Sequence, residues 1–255
     1  MPQPPLRVES LLSGRDNLVW VLATGSGRCA VIDPGDAEPV SDHLAMKGWT
    51  LSHILLTHHH GDHTAGVATL ARRHGAMVVG AEAERNRLPP LDLAVGHGDV
   101  VALGTLEARV VAVSGHTLGH VVYLVEDCLF SGDTLFGFGC GRLFEGSPAM
   151  MWESLSRLAA LPDATRLCAG HEYTLLNLDF VCHLEPERAD LTALRHEIMA
   201  IVERGECTLP HPLALEKRFN PFLRASDPAF AARVGLAGQS PLEVFTALRE
   251  RRNRF

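Results

Sequence analysis

The stretch LLTHHHGDHTAG, residues 55–66, sets four histidines and an aspartate within six positions, directly after an apolar run. An imidazole is costly to bury without a partner, and imidazole with carboxylate is a good donor set for zinc and similar divalent cations. Residues two apart on an extended segment point the same way, so His58 and His60 can grip one ion while His59 points elsewhere. Gly61 lets the chain bend, and Asp62 and His63 then face a different direction, where they can serve a second ion. A catalytic zinc takes about three protein ligands and keeps one position for water. Further ligands are therefore expected at other loops.

Three residues fit: His116 in VSGHTLGH, Asp133 in FSGDTLF and His171 in CAGHEY. Each follows an apolar run and stands beside a glycine, as a side chain presented at the rim of a sheet would. Taken alone, His116 and Asp133 read as ordinary loop residues; the cluster at 58–63 recruits them. The tally makes two sites. His58, His60 and His116 bind one cation; Asp62, His63 and His171 bind another; Asp133, with two oxygens, bridges them. Two cations ~3.5–4 Å apart can share a hydroxide and clamp a reacting centre. The expected chemistry is metal-assisted hydrolysis, with Asp62 and Asp133 as the catalytic carboxylates. Zinc is expected first, and iron or manganese suits the same nitrogen and oxygen donors. His59 and His120 are expected behind the ligands. Asp33, ending VIDPG, is either a carboxylate that orients a ligand or an ordinary strand-ending turn aspartate.

The elements that must position these residues are short. NLVWVLAT (17–24) and RCAVID (28–33) read as a hairpin around Gly25, Ser26 and Gly27, followed by a helix from about Ala37 to Lys47. SHILLT (52–57) is a buried strand, and Val67, Leu70, Ala71 and His74 then share one helical face, so the cluster lies at a strand-to-helix turn. Further strands are predicted at 76–80, 99–103, 106–113, 120–126 and 128–131, and one ending near His171. Ser147 with Pro148, and Ser240 with Pro241 and Glu243, are helix starts. After about residue 173 the chain is helical. The pattern is that of an α/β sandwich with a helical C-terminal appendage.

Bulk properties narrow the function. The chain has 255 residues, a formal net charge of −7 and no CxxC pair among its six cysteines. The acidic balance speaks against a nucleic-acid partner, and the missing CxxC pair against a thiolate zinc finger. No signal-peptide pattern and no run of ~20 apolar residues is present, so a cytoplasmic protein with reduced thiols and no membrane association is expected. A monomer is expected.

THHHGDH with His116, Asp133 and His171 resembles the metallo-β-lactamase superfamily. That resemblance implies a four-layer αβ/βα sandwich with the metals at one edge. RDNLVWVL, GHTLGHVVY, GDTLFGFGCGRLFEG, GHEYTLLNLDF, FNPFLR and LRERRNRF resemble the glyoxalase II (hydroxyacylglutathione hydrolase) family, and these blocks run from Arg15 to Phe255. The resemblance implies a catalytic domain over 1–172 and a helical substrate-binding domain over 173–255. It implies two divalent metals and hydrolysis of S-D-lactoylglutathione to D-lactate and glutathione, a step of methylglyoxal detoxification. It also implies glutathione binding by residues matching Arg142, Phe144, Tyr173, Arg249 and Arg252. Animal-type members carry Lys and Tyr where this chain has Arg142 and Phe144, so one hydroxyl is missing from the pocket. A basic patch in an acidic protein suits the two glutathione carboxylates.

Rival readings keep the fold and change the chemistry. A single-iron glutathione persulfide dioxygenase normally lacks the full second metal set and the helical tail, both present here. A lactonase of the same fold is distinguished by its substrate, and an inactive metal-binding scaffold by the absence of turnover.

Overall fold

The structure is a computed structural model that describes residues 6–255. These fall into two compact units, one ending at Val113 and resuming over Leu118–Gly132, the other comprising Ser114–Thr117 and Asp133–Phe255.

In the first unit, β1 (Val8–Ser13), β2 (Asn17–Gly25), β3 (Arg28–Ile32), β4 (Thr50–Leu55), β5 (Met77–Ala81) and β6 (Leu93–Val95) form one sheet in that order. The first three strands pair antiparallel through tight connections, and β3 to β6 pair parallel. Parallel neighbours need crossovers, and α1 (Glu38–Lys47), α2 (Gly61–Thr64) and α3 (Val67–His74) lie in them. Alternation along β2 sorts its residues onto two faces. Val19 and Val21 join Val31 and Ile54 against Val40, Leu44, Val67 and Leu70 of the helices. Trp20, on the opposite face, meets Phe130 edge-on at 6.3 Å. Phe130 belongs to a second, antiparallel layer, in which β10 (Cys128–Gly132), β9 (Val121–Val125), β8 (Leu106–Ala112) and β7 (Val100–Leu103) are neighbours in that order. Tyr123 ties the layers by donating its buried hydroxyl to the Leu56 carbonyl at 2.8 Å.

The helical face read at Val67, Leu70, Ala71 and His74 is α3, and a separate four-residue helix, α2, precedes it. At Gly66 the chain touches the loop after β3: Gly66 N donates to Pro34 O, and a Cβ there would stand 2.7 Å from the same oxygen. Helical periodicity cannot reveal such a contact, because its partner is 32 residues away.

The second unit begins with a hairpin of β11 (Leu135–Phe136) and β12 (Gly139–Cys140), continues with α4 (Pro148–Ala159), and pairs β13 (Arg166–Ala169) with β14 (His211–Pro212). α5 (Thr174–Leu184) packs on α6 (Ala189–Glu203), and α7 (Leu213–Phe219) supplies Phe219 to the core that Phe138, Leu178, Val181, Leu191 and Ile198 share. α8 (Pro228–Arg233) precedes α9 (Pro241–Arg254), which meets α4 through Trp152 and Phe245. Both helix starts read from the sequence are present. Ser147 accepts from Met150 N, and Ser240 and Glu243 close a reciprocal capping box.

Candidate active site

Two of the four ligand candidates of the first unit, His58 and His63, are arranged from behind by Asp33. Chain reversal after β3 puts Asp33 at φ +51°, a conformation aspartate tolerates better than most residues. Its buried carboxylate accepts from Thr57 N at 2.8 Å and Thr57 Oγ1 at 2.6 Å, and lies 3.2 Å from His63 Nδ1. Thr57 Oγ1 in turn sits 3.0 Å from His58 Nδ1. Asp33 thus ends its strand and also bears on two of the ligand candidates, His63 directly and His58 through Thr57. With the Nδ1 edges of His58 and His63 held this way, their Nε2 edges meet the other candidates. His58 Nε2 is 3.0 Å from His60 Nδ1, and His63 Nε2 is 3.9 Å from Asp62 Oδ2. Two ligands of one tetrahedral zinc, each ~2.1 Å from it, stand about 3.4 Å apart, so both pairs have cation-compatible spacing.

The surrounding residues fix these rings. His59 turns away to Glu84, Nδ1 to Oε2 2.7 Å, and Glu84 also accepts from Gly119 N. His120 stacks on His58 with centroids 4.7 Å apart. Asn17 donates to both the carbonyl and the carboxylate of Asp62, at 3.0 and 3.2 Å. Nothing in the sequence singled out Asn17 or Glu84, because each acts on a residue at least 25 positions away.

The other three candidates lie in the second unit. His116 stands on the Ser114–Thr117 loop, which is clamped by reciprocal hydrogen bonds between Ser114 and Ser154 and by Gly146 N donating to Gly115 O. Gly115 adopts φ +143° with Met151 so close that a Cβ would stand 2.7 Å from it, so only glycine fits there. The His116 ring donates from Nδ1 to Arg142 O at 2.9 Å, and its Nε2 lies 3.3 Å from Asp133 Oδ2. His171 Nε2 lies 3.4 Å from the same oxygen, and its ring stacks on Tyr173 at 4.7 Å. Asp133 Oδ2 thus sits between two imidazoles, one from each set of metal ligands that the sequence defined.

His116 and Asp133 also line a cavity of about 400 Å³ in this unit. Arg142, Phe144, Tyr173, Arg249 and Arg252, the five substrate-binding candidates, line it as well, with Phe136, Cys140, Leu176 and Asn177. Arg249 is buried; it donates from Nη1 to Cys140 O at 2.7 Å, and its Nε has no hydrogen-bond partner among the described residues. Arg252 donates to the amide oxygen of Asn177. Burial, then the charges of Arg249 and Arg142, hold the Arg252 pKa below its usual value, the mark of cations crowded together. Phe144 is 63 % exposed and meets the His116 ring edge-on at 5.2 Å.

Residues 13–171 match the family model of the metallo-beta-lactamase superfamily, and residues 172–255 that of the hydroxyacylglutathione hydrolase C-terminus. The hydroxyacylglutathione hydrolase of a Cereibacter sphaeroides strain is 46 % identical over 254 residues, 98 % of this chain and all of that protein. The crystal structure of ETHE1 from Myxococcus xanthus gives a TM-score of 0.66 at 27 % identity, covering 96 % of this chain and 90 % of that one. The crystal structure of TTHA1623 in a di-iron-bound form gives 0.58 at 28 % identity, covering 64 % of this chain and 91 % of that one. The fold and the histidine–carboxylate clusters define an α/β metal-dependent hydrolase of the metallo-β-lactamase superfamily. Within it, the chain belongs to the hydroxyacylglutathione hydrolase, or glyoxalase II, family.

Proposed function

We propose that the chain hydrolyses S-D-lactoylglutathione and related 2-hydroxyacylglutathiones to the 2-hydroxy acid and glutathione. The observation that carries this reading is the cavity of the second unit. It is lined both by the metal-type residues His116 and Asp133 and by Arg142, Arg249 and Arg252. A thioester whose thiol half bears two carboxylates matches both sets.

The donor chemistry fits two divalent cations. We assign His58, His60 and His116 to one, Asp62, His63 and His171 to the other, and Asp133 to both, with zinc as the first choice and iron or manganese as alternatives. When bound, such a pair lowers the pKa of a water toward ~7 and polarises the scissile carbonyl. The chain's own residues do the rest. Asp33 and Thr57 hold the imidazoles in one orientation. Asp62, steadied by Asn17, takes the proton of the attacking water. Arg142, Arg249 and Arg252 hold the glutathione carboxylates through charge-assisted hydrogen bonds. Tyr173 and Phe144 add aromatic surface to the lining. A thiolate leaves readily, so no general acid is needed for it.

In this reading residues 1–172 carry catalysis and 173–255 contribute most of the glutathione contacts. Among the described residues no helix is long and apolar enough to cross a membrane. We take the protein to act in the cytoplasm as a monomer without a nucleic-acid partner. The test is a substrate panel. Turnover of S-D-lactoylglutathione well above that of simple lactones is expected, and the reverse preference would make the chain a lactonase. Oxygen consumption with glutathione persulfide would make it a dioxygenase.

A further inference from the structure

All three arginines of the cleft hang on one small hairpin, and a buried carboxylate outside the cleft holds its turn. Arg249 donates to the Cys140 carbonyl on β12. Arg252 donates to Asn177 Oδ1, and the same amide donates from Nδ2 to Gly137 O at 3.0 Å. Arg142 follows β12 by two residues, and Gly141 N donates to Thr134 O across the hairpin base. The turn between the strands is Gly137–Phe138, where Phe138 adopts φ +54°, a conformation aromatic residues rarely take.

Glu216, on α7 and 0 % exposed, meets this turn. Both its oxygens lie 3.0 Å from Phe138 N. Oε1 also lies 2.6 Å from His211 Nε2, and Oε2 accepts from Asn220 Nδ2 at 2.7 Å. Asn220 donates from the same Nδ2 to Gly139 O, and the His211 ring stacks on Phe138 at 5.3 Å. The Gly137 carbonyl, the Phe138 amide and the Gly139 carbonyl are thus bonded by Asn177 of α5, Glu216 of α7 and Asn220 at the end of α7. The turn is held from behind as well as by the pairing of its own two strands.

We propose that Glu216 is a positioning residue for the arginines of the cleft. Its carboxylate fixes the Phe138 turn, and through it the carbonyls on which Arg249 and Asn177–Arg252 are set. This rests on the glutathione-thioester reading. A glutamine at 216 keeps the shape but places an N–H donor where three donors converge, so the turn loses part of its anchor. The arginines lose their common template, while the metal candidates do not touch Glu216.

The experiment compares wild type with Glu216→Gln on two substrates: S-D-lactoylglutathione, and the D-lactoyl thioester of N-acetylcysteamine, which has no carboxylates. Metal content and thermal midpoint are read alongside. Loss of one good hydrogen bond to a charged group should lower kcat/KM for the glutathione thioester about tenfold, mainly through KM. The uncharged thioester and the metal content should change less than twofold. Should Glu216→Gln fail to fold, Asn220→Ala, which removes the bonds to the Gly139 carbonyl, to Glu216 Oε2 and from the Phe222 amide but leaves the Glu216 carboxylate on Phe138 N, should shift KM in the same selective way. Equal losses on both substrates, or no loss on either, overturn the proposal. A wild-type protein that treats the two thioesters alike would sink the glutathione reading itself, and this inference with it.

Discussion

Phe144 stands on the cavity wall with its ring edge toward His116 and most of its surface in solvent. It offers a substrate contact area but no hydrogen bond. Phe144→Tyr adds a hydroxyl at that wall, and a single neutral hydrogen bond contributes ~0.5–1.5 kcal/mol, so KM for S-D-lactoylglutathione should fall severalfold with kcat unchanged. Steady-state kinetics check this, and an unchanged or higher KM would mean that the hydroxyl does not reach glutathione. The residue scale is also where the sequence was most legible. His58, His60, Asp62 and His63 announce themselves because four donors of one chemical class crowd together, which chance and solvation rarely produce. Asp33 stayed ambiguous, because its partners Thr57 and His63 lie 24 and 30 residues away. Asn17, Asn177 and Glu216 were invisible, since a polar residue in a helix or strand reads as a solvated one until its buried partner is known.

Elements with local signals were readable, and those fixed by distant contacts were not. The capping box at Ser240 is written in four consecutive residues, and both of its hydrogen bonds are present. Ser240→Ala should cost about 1 kcal/mol of stability, lowering the thermal midpoint by a few degrees while leaving KM within twofold. A larger shift in KM than in stability would mean that α9, which carries Arg249 and Arg252, is positioned by its cap rather than by its packing. The two-residue strands β11 and β12 escaped the sequence, being too short to show alternation. β13 was found because an apolar run precedes its glycine, and the separate helix α2 was missed because helical periodicity cannot register the contact at Gly66.

At the scale of the whole molecule, fold class was legible from the alternation of short strands and helices, whereas the compact units follow contacts that no local pattern registers. The compact units divide at Gly132 and Asp133, and the loop Ser114–Thr117 belongs with the later residues through its contacts with Ser154 and Met151. The second unit also depends on a buried charge. Glu185, 5 % exposed, is hydrogen-bonded by Arg224 and Arg233 and lies 3.3 Å from Arg188. Burial alone would raise its pKa, but the hydrogen bonds from Arg224 and Arg233 outweigh this and hold the carboxyl below its usual range. A carboxyl whose folded pKa is depressed stabilises above its unfolded pKa, and that stability drains as pH falls through the folded value. Glu185→Gln should therefore be several degrees less stable than wild type at pH 7, and the gap should close below about pH 4.3, the unfolded glutamate value. Thermal melts across that range check the sign, and a gap constant with pH would assign the loss to packing instead.

The most direct measurement is metal quantification and product analysis on one sample of active protein, repeated with Asp133→Ala. Two divalent cations per chain, D-lactate and free thiol released in equal amounts, and loss of both turnover and part of the metal in the variant are expected. One iron per chain with oxygen consumed, or an Asp133→Ala protein that keeps two cations and full turnover, would contradict the two-metal hydrolase.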